Sequence, residues 1–442
     1  MLGDYREEKL DNGLAIIGVQ QSSLHSVACH ARVHAGPRFE PREHAGLTHF
    51  LEHMIIQGSK NYPSSCDLLR TIEHMGGLLD ASTHPESLEV ILLVHKKHCE
   101  KGLSVFTDVL RNPLFNENEI EQEKAIVAQE ISENRDDKQR NLSALELVYS
   151  LLFKEEVDEL GTRGNLSVVQ KFDSELVEKQ YSRFFVPENM VVSMAGAFDF
   201  EGVCEMLDAT LGSMPADQPI PEILREEVES YRARVAYRRT ERTPVVNMAL
   251  SFRAFSAADD RFSPMMAASR IIGGGLSSRL FTTVREELGL VYQISSRPMV
   301  YSDTGAVNIT LSVDADNLAA AARATLDVIE EVRNDGLKED ELEAYKETIR
   351  CGMDMMCDRP DRLADYMARQ CLLLPEDRIR TPGQYVKEQE DLTTHDLVEV
   401  IDTIFRPENA NLAVVGPFEE KHEAELSELF PAEKAQLPGN SV

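Results

Sequence analysis

Apolar positions along the chain switch repeatedly between two periods. Leu14 to Val19 and Val27 to His34 are short apolar runs, the second close to strict alternation, and they read as a strand pair. From Leu47 the spacing becomes helical. At a step of about 100° per residue, Leu47, Leu51, Met54 and Ile55 share one face, while His49, Glu52 and His53 share the other, with Gly58 placed to close the helix. A second helix runs from about Ser64, which can cap it, to Met75. Gly76-Gly77 then opens a strand, Leu78 to Thr83, that continues past Pro85 as Leu88 to His95. Helical spacing returns over Glu100 to Leu110, Ile120 to Asn134, Ala144 to Phe153 and Ser174 to Phe184, before a strand at Met190 to Ala195.

The flanks of that last strand recur. Phe185-Val-Pro187-Glu188-Asn189 precedes it and Gly196-Ala-Phe198 follows it. Phe405-Arg-Pro407-Glu408-Asn409, the strand Asn411 to Val415, and Gly416-Pro-Phe418 repeat the order at a constant offset of 220. Two matching closings imply two halves of one architecture. The join falls within Gly212 to Arg242, rich in Pro and charge. Domains at 1–212 and 243–442 therefore flank a linker region at 213–242. The second half starts on a strand, Val245 to Phe252, and continues through helix-like stretches at Leu318 to Asn334, Glu339 to Cys357, Asp361 to Leu374 and His395 to Phe405. Each half is expected to be an α+β unit, a mostly antiparallel sheet with helices packed on one face.

Composition narrows the class. A chain of 442 residues exceeds one ordinary core. Hydrophobic content of 42% with 28% charged residues is that of a soluble globular protein, and no apolar run approaches the ~18 residues of a membrane span. The first ten residues lack the features of a signal or transit peptide, so a cytoplasmic location is expected. Seven scattered Cys fit reduced thiols; Cys351 and Cys357 stand near each other without a His or Cys cluster to make a metal knuckle. A net charge of −30 argues against nucleic acid, which wants a basic face. It fits an acidic, soluble surface or steering of basic peptides.

The polar face of the first helix carries the chemistry. His49 and His53 stand one turn apart and can clamp a single metal ion. Glu52 sits beside that ion without having to bind it, where a carboxylate can take a proton from the water that zinc activates. H-x-x-E-H is the inverted form of the zinc-peptidase H-E-x-x-H motif. A solvated polar face is the plain alternative, but only 12 of 442 residues are His. A catalytic zinc wants a third protein ligand and one open position. Candidates lie on the later helix, where Ile120, Ile126, Val127 and Ile131 form an apolar stripe with Glu123 and Glu130 inside it and Glu121 on the far side. Carboxylates on a packed face cost several kcal/mol, by order of magnitude, unless paired. One could ligate and the other orient a ligand His. In the second half, Ile271-Ile-Gly-Gly-Gly-Leu-Ser-Ser-Arg-Leu280 lacks the spacing of a phosphate cradle and reads as close backbone packing.

These motifs resemble the pitrilysin family of inverted zinc peptidases, which includes the mitochondrial processing peptidase and small bacterial relatives. The family's third ligand is a Glu about 77 residues after the second His, in an E-x-x-x-x-x-x-E-[IM] segment. Glu130 lies 77 positions after His53, and Glu123-Lys-Ala-Ile-Val-Ala-Gln-Glu130-Ile131 matches. The resemblance thus implies one Zn2+ per subunit on His49, His53 and Glu130, with Glu123 as the supporting carboxylate and Glu52 as general base. The flanks His49-Phe-Leu-Glu-His-Met54 and Gly58-Ser-Lys-Asn-Tyr-Pro63 are also similar. In the family, the Gly76-Gly77 pair precedes an edge strand to which substrate backbone adds. The family has Asn where this chain has Asp80. Arg285-Glu-Glu-Leu-Gly-Leu-Val-Tyr292 resembles a paired Arg and Tyr that hold substrate carbonyls.

The resemblance further implies a bowl-shaped subunit whose two copies close around a chamber. Because both features lie in one chain, it implies a homodimer in which Arg285 and Tyr292 reach the opposite zinc site, with a heterodimer as the alternative. The expected function is a zinc-dependent endopeptidase for peptides or unfolded segments. The alternative is a noncatalytic structural subunit of a heterodimeric processing peptidase. The sequence is silent on substrate and cleavage preference.

Overall fold

The structure, a computed structural model, describes residues 4–138, 140–153, 162–216, 219–223 and 233–435. It contains two six-stranded sheets. The first is built from Asp4–Lys9 (β1), Ala15–Gln20 (β2), Ser26–Val33 (β3), Leu78–His84 (β4), Ser87–His95 (β5) and Met190–Gly196 (β6). The second uses Arg234–Arg239 (β7), Val246–Ala254 (β8), Gln293–Val300 (β9), Gly305–Val313 (β10), Ala410–Gly416 (β11) and Glu433–Lys434 (β12).

The strand orders are β1-β2-β6-β3-β5-β4 and β12-β7-β11-β8-β10-β9. Five consecutive positions of one order match five of the other, β2-β6-β3-β5-β4 with β7-β11-β8-β10-β9. In each sheet the strand of the repeated closing sits centrally, parallel to one neighbour and antiparallel to the next. The first two apolar runs do form strands, but they are not partners: β6, from far along the chain, separates β2 from β3. Likewise, the stretch from Leu78 to His95 is not one continued strand. It turns back after His84, and β4 pairs antiparallel with β5 from Leu78↔Leu93 to His84↔Ser87.

The repeated residues have repeated duties. Asn189 donates from Nδ2 to Phe184 O (2.9 Å) and His34 O (3.0 Å), tying a helix end to the end of β3. Asn409 does the same with Ile404 O and Arg253 O, both at 2.8 Å. Gly196 (φ 121°) and Gly416 (φ 151°) both lie in the region that favours glycine. A Cβ on Gly196 would stand 2.3 Å from Ser26 O, and one on Gly416 would stand 2.7 Å from Val246 Cα.

Contacts divide the chain into two units whose segments interleave along the sequence. One gathers residues 1–131, 161–225 and 351–384; the other gathers 132–160, 226–350 and 385–442. In the first unit, Ile16, Val27, Cys29, Val33, Val192 and Met194 face the main core. On the opposite face, Ile17, Val19, Ala28, Val191 and Ala195 pack under Leu363, Ala364 and Met367 of the helix Pro360–Leu373. In the second unit, Ala236, Ala249, Ala306, Ala413 and Val415 form the equivalent face, covered by Leu147, Val148 and Leu151 of the helix Ala144–Leu152. So each sheet has helices on one face, as the periodicity predicts, and one further helix from the other half of the sequence on its second face. The stretch taken as a linker also holds a strand: within 213–242, β7 is the counterpart of β2. Its charge hides it, since Arg238 is 2% exposed and donates to Asn141 O.

Candidate metal centre

The H-x-x-E-H segment lies on the helix Leu47–Ile55. Leu47, Phe50, Leu51, Met54 and Ile55 are fully buried, which fixes the helix's rotation and turns His49, Glu52 and His53 away from the main core. Donor atoms of these three lie within 4.8 Å of one another. The helix start is held from outside. Gly46 at the N-cap (φ 90°) has no side chain to cap it, and a Cβ there would stand 2.6 Å from Arg163 O. Glu40, 1% exposed, supplies the cap by accepting the Gly46 N–H (2.7 Å) and the Thr48 N–H. Burial pushes its carboxyl upward, against these donors.

The second element is the helix Glu117–Glu133. Ile120, Val127 and Ile131 pack into the core, whereas Ile126 is 47% exposed and leaves the expected stripe. Glu121 is solvated and pairs with Lys124 (2.6 Å). Glu123 is buried. One of its oxygens lies 2.9 Å from His53 Nδ1, and the other accepts from Gln57 Nε2 at 2.7 Å. An Nδ1–H donating to that carboxylate leaves the Nε2 lone pair of His53 facing Glu130.

One oxygen of Glu130 is the meeting point. It lies 3.5 Å from His49 Nε2, 3.7 Å from His53 Nε2 and 3.6 Å from Arg163 Nε. Ligand atoms at the corners of a tetrahedron with ~2.0–2.1 Å arms are about 3.4 Å apart. The Glu130 oxygen therefore stands from each imidazole nitrogen at nearly the separation that a tetrahedral zinc ion sets between two of its ligands, and two neutral imidazole nitrogens with one carboxylate make a common donor set for it.

The two imidazoles differ in their electrostatics. Burial, with the neighbouring His53 and Arg163, pushes His49 down to about 3, so its imidazole is neutral and able to ligate. Burial alone would lower His53, but the Glu123 hydrogen bond and the charges of Glu130 and Glu52 reverse this and raise it. Burial, and behind it the charges of Asp80 and Glu130, raises Glu52. Three carboxylates crowd two imidazoles, and Arg163 is the cation paired there among the described residues. Such a cluster favours an added positive ion.

The profile of the Insulinase (peptidase family M16) family matches residues 16–162, and that of the peptidase M16 inactive domain matches residues 171–349. The chain belongs to peptidase family M16. Over 424 residues it is 25% identical to a protein of Rickettsia bellii named an uncharacterized zinc protease, covering 94% of this chain and 98% of that one. It is also 25% identical to the mitochondrial-processing peptidase subunit beta of Blastocladiella emersonii, covering 93% and 88%. The fold matches the crystal structure of a protease from Helicobacter pylori with a TM-score of 0.86 at 19% identity, covering 94% and 100% of the two chains. As an M16 chain it carries H-x-x-E-H in the first of its two homologous halves. No helix among the described residues is long and apolar enough to cross a membrane.

The other expected site residues lie in the second unit of this M16 chain. Arg285 stands on a π-helical turn, Phe281–Glu287, with its guanidinium 4.6 Å from the Phe281 ring centroid. Such turns are frequent at functional sites. Tyr292 is 81% exposed, and its N–H donates to Ser312 O (3.0 Å). The sequence did not single out Glu40, Gln57 or Arg163. Glu40 alone leaves a signal, an acidic residue shortly before a helix that begins on Gly46. A second donor group, His30, Glu89 and Asp365, also lies within 4.8 Å. There Arg32 pairs with both carboxylates, at 2.5 Å to Asp365, and supplies the positive charge that they face.

Proposed function

We propose that this chain is a zinc endopeptidase that cleaves peptides or unfolded segments. The observation that carries the reading is the convergence of His49 Nε2 and His53 Nε2 on one oxygen of Glu130, at 3.5 and 3.7 Å, with Glu52 alongside. His49, His53 and Glu130 would hold one zinc ion per subunit. Bound there, zinc supplies a Lewis acid that polarises a carbonyl and lowers the pKa of water. Glu52 accepts the proton of the attacking water and passes it to the leaving amine; its raised affinity for protons suits both transfers. Glu123 orients His53, and Gln57 holds Glu123 in turn. Substrate backbone adds to the edge of β4, the outermost strand of its sheet among the described residues. In a homodimer, Arg285 and Tyr292 of one subunit hold carbonyls at the zinc site of the other, within a chamber that admits peptides and excludes folded proteins. The Rickettsia and Blastocladiella names support the class of reaction.

The purified chain is assayed on an internally quenched peptide library, before and after chelation. Cleavage should vanish with chelator and return on adding zinc. A zinc-loaded chain that cleaves no peptide would leave the noncatalytic partner role in its place.

A further inference from the structure

The β4 edge is more than a backbone template. Side chains alternate across it: Leu79 and Ala81 are buried in the main core, whereas Leu78, Asp80, Ser82 and His84 point to the opposite face. On that face the acids differ in state. Glu89, across from Ser82, is neutralised by Arg32, and His84 Nε2 lies 3.6 Å from it. Ser82 and His84 engage each other at 3.4 Å. Asp80 has no such partner. Its Oδ1 accepts the Ala81 N–H (2.9 Å), and among the described residues it makes no ion pair. It is exposed, and so is Leu78, at 50%. β4 also packs against the helix that carries His49, Glu52 and His53, so a peptide on its edge passes beside that helix.

A peptide adding to this edge must place alternate side chains over the same face, each across from one β4 residue. We propose that Asp80 and Leu78 set the specificity of this edge. The bound peptide puts a Lys or Arg side chain across from Asp80, and an apolar side chain, two residues along, across from Leu78. An unpaired carboxylate at the edge gains a partner only when a cation arrives, and an exposed leucine is covered only by an apolar neighbour. The proposal rests on the peptidase reading and names its substrate class.

The test uses the full, zinc-loaded chain and quenched peptides that differ at one position, carrying Lys, norleucine or Glu there. The ratio of kcat/KM for Lys over norleucine is read within each enzyme, so a general loss of activity does not enter it. Cross-strand charge pairs predict a preference of about two- to fivefold for Lys at a single subsite. That preference should disappear in Asp80→Asn and in Asp80→Ser, and Asp80→Lys should favour Glu at the same subsite. A Lys preference that survives in Asp80→Asn overturns the proposal. So does a preference spread evenly over all positions and erased by salt, which would come from the charge of the whole chain. If peptides are cleaved without any Asp80-dependent choice, the specificity alone falls. If no peptide is cleaved, the peptidase reading falls and takes the specificity with it.

Discussion

At the scale of single residues, the proposed function separates groups that would hold an ion from a group that would move a proton. His49, His53 and Glu130 point at a common centre, while Glu52 lies beside it on the same helix face. Glu52→Gln keeps the shape and removes the base. It should abolish peptide turnover while leaving bound zinc, measured by mass spectrometry of the metal, at one per subunit. Loss of the metal together with the activity would instead make Glu52 a ligand. His49, Glu52 and His53 were legible in the sequence as candidates because their spacing is local to one helix; Glu123 and Glu130 were legible as a pair on a second helix, and the family resemblance chose Glu130 between them. Gln57 and Arg163 were not. Each acts on a carboxylate about 66 or 33 residues away in the chain, and no periodicity reports such a contact.

At the scale of elements, the repeated closing explains itself through hydrogen bonds. Asn189 and Asn409 each bridge a helix end to a strand end, and each precedes the central strand of its sheet. Asn189→Ala strips two carbonyls of their donor, at a cost of about 1–3 kcal/mol. In a unit of this size that is a fall in Tm of about 2–10 °C, read by calorimetry. Asn409→Ala should fall by a similar amount, and an unchanged Tm in both would deny the motif its structural role. The motif helix shows a different dependence. Its apolar face predicted its burial correctly, but its start is capped by Glu40 from an earlier turn, which helix periodicity does not report. The early strands show the limit of local pattern: β2 and β3 were recognisable as strands, yet β6 lies between them.

At the scale of the whole molecule, the proposed homodimer makes each active centre a composite of two subunits. Glu52→Gln homodimers and Arg285→Ala homodimers should each be inactive. Mixed one to one and allowed to exchange, random pairing gives half heterodimers with one intact centre in two, about one quarter of wild-type activity. No recovery, in a mixture shown by native mass spectrometry to have exchanged, would place Arg285 in its own subunit's centre or outside catalysis altogether. The sequence repeat at an offset of 220 announced two halves, and the two sheets share five strand positions. What the repeat concealed is that each half of the sequence contributes a helix to the other unit's sheet face.

By itself, the sequence determined the element types, the duplication and the candidate donors His49, His53, Glu123 and Glu130, because each follows from spacing along a single helix or strand or from a match between two segments; which of the two carboxylates would ligate came from the family resemblance. Only the tertiary structure decided that β6 and β11 enter their sheets centrally, that Glu40 caps the motif helix, and that Arg32 closes the second donor cluster. It also left Asp80 without a charged partner among the described residues. Those outcomes depend on which distant side chains share a small volume after folding. Burial and Coulomb energies are set by distance in space, on which separation along the chain carries no information.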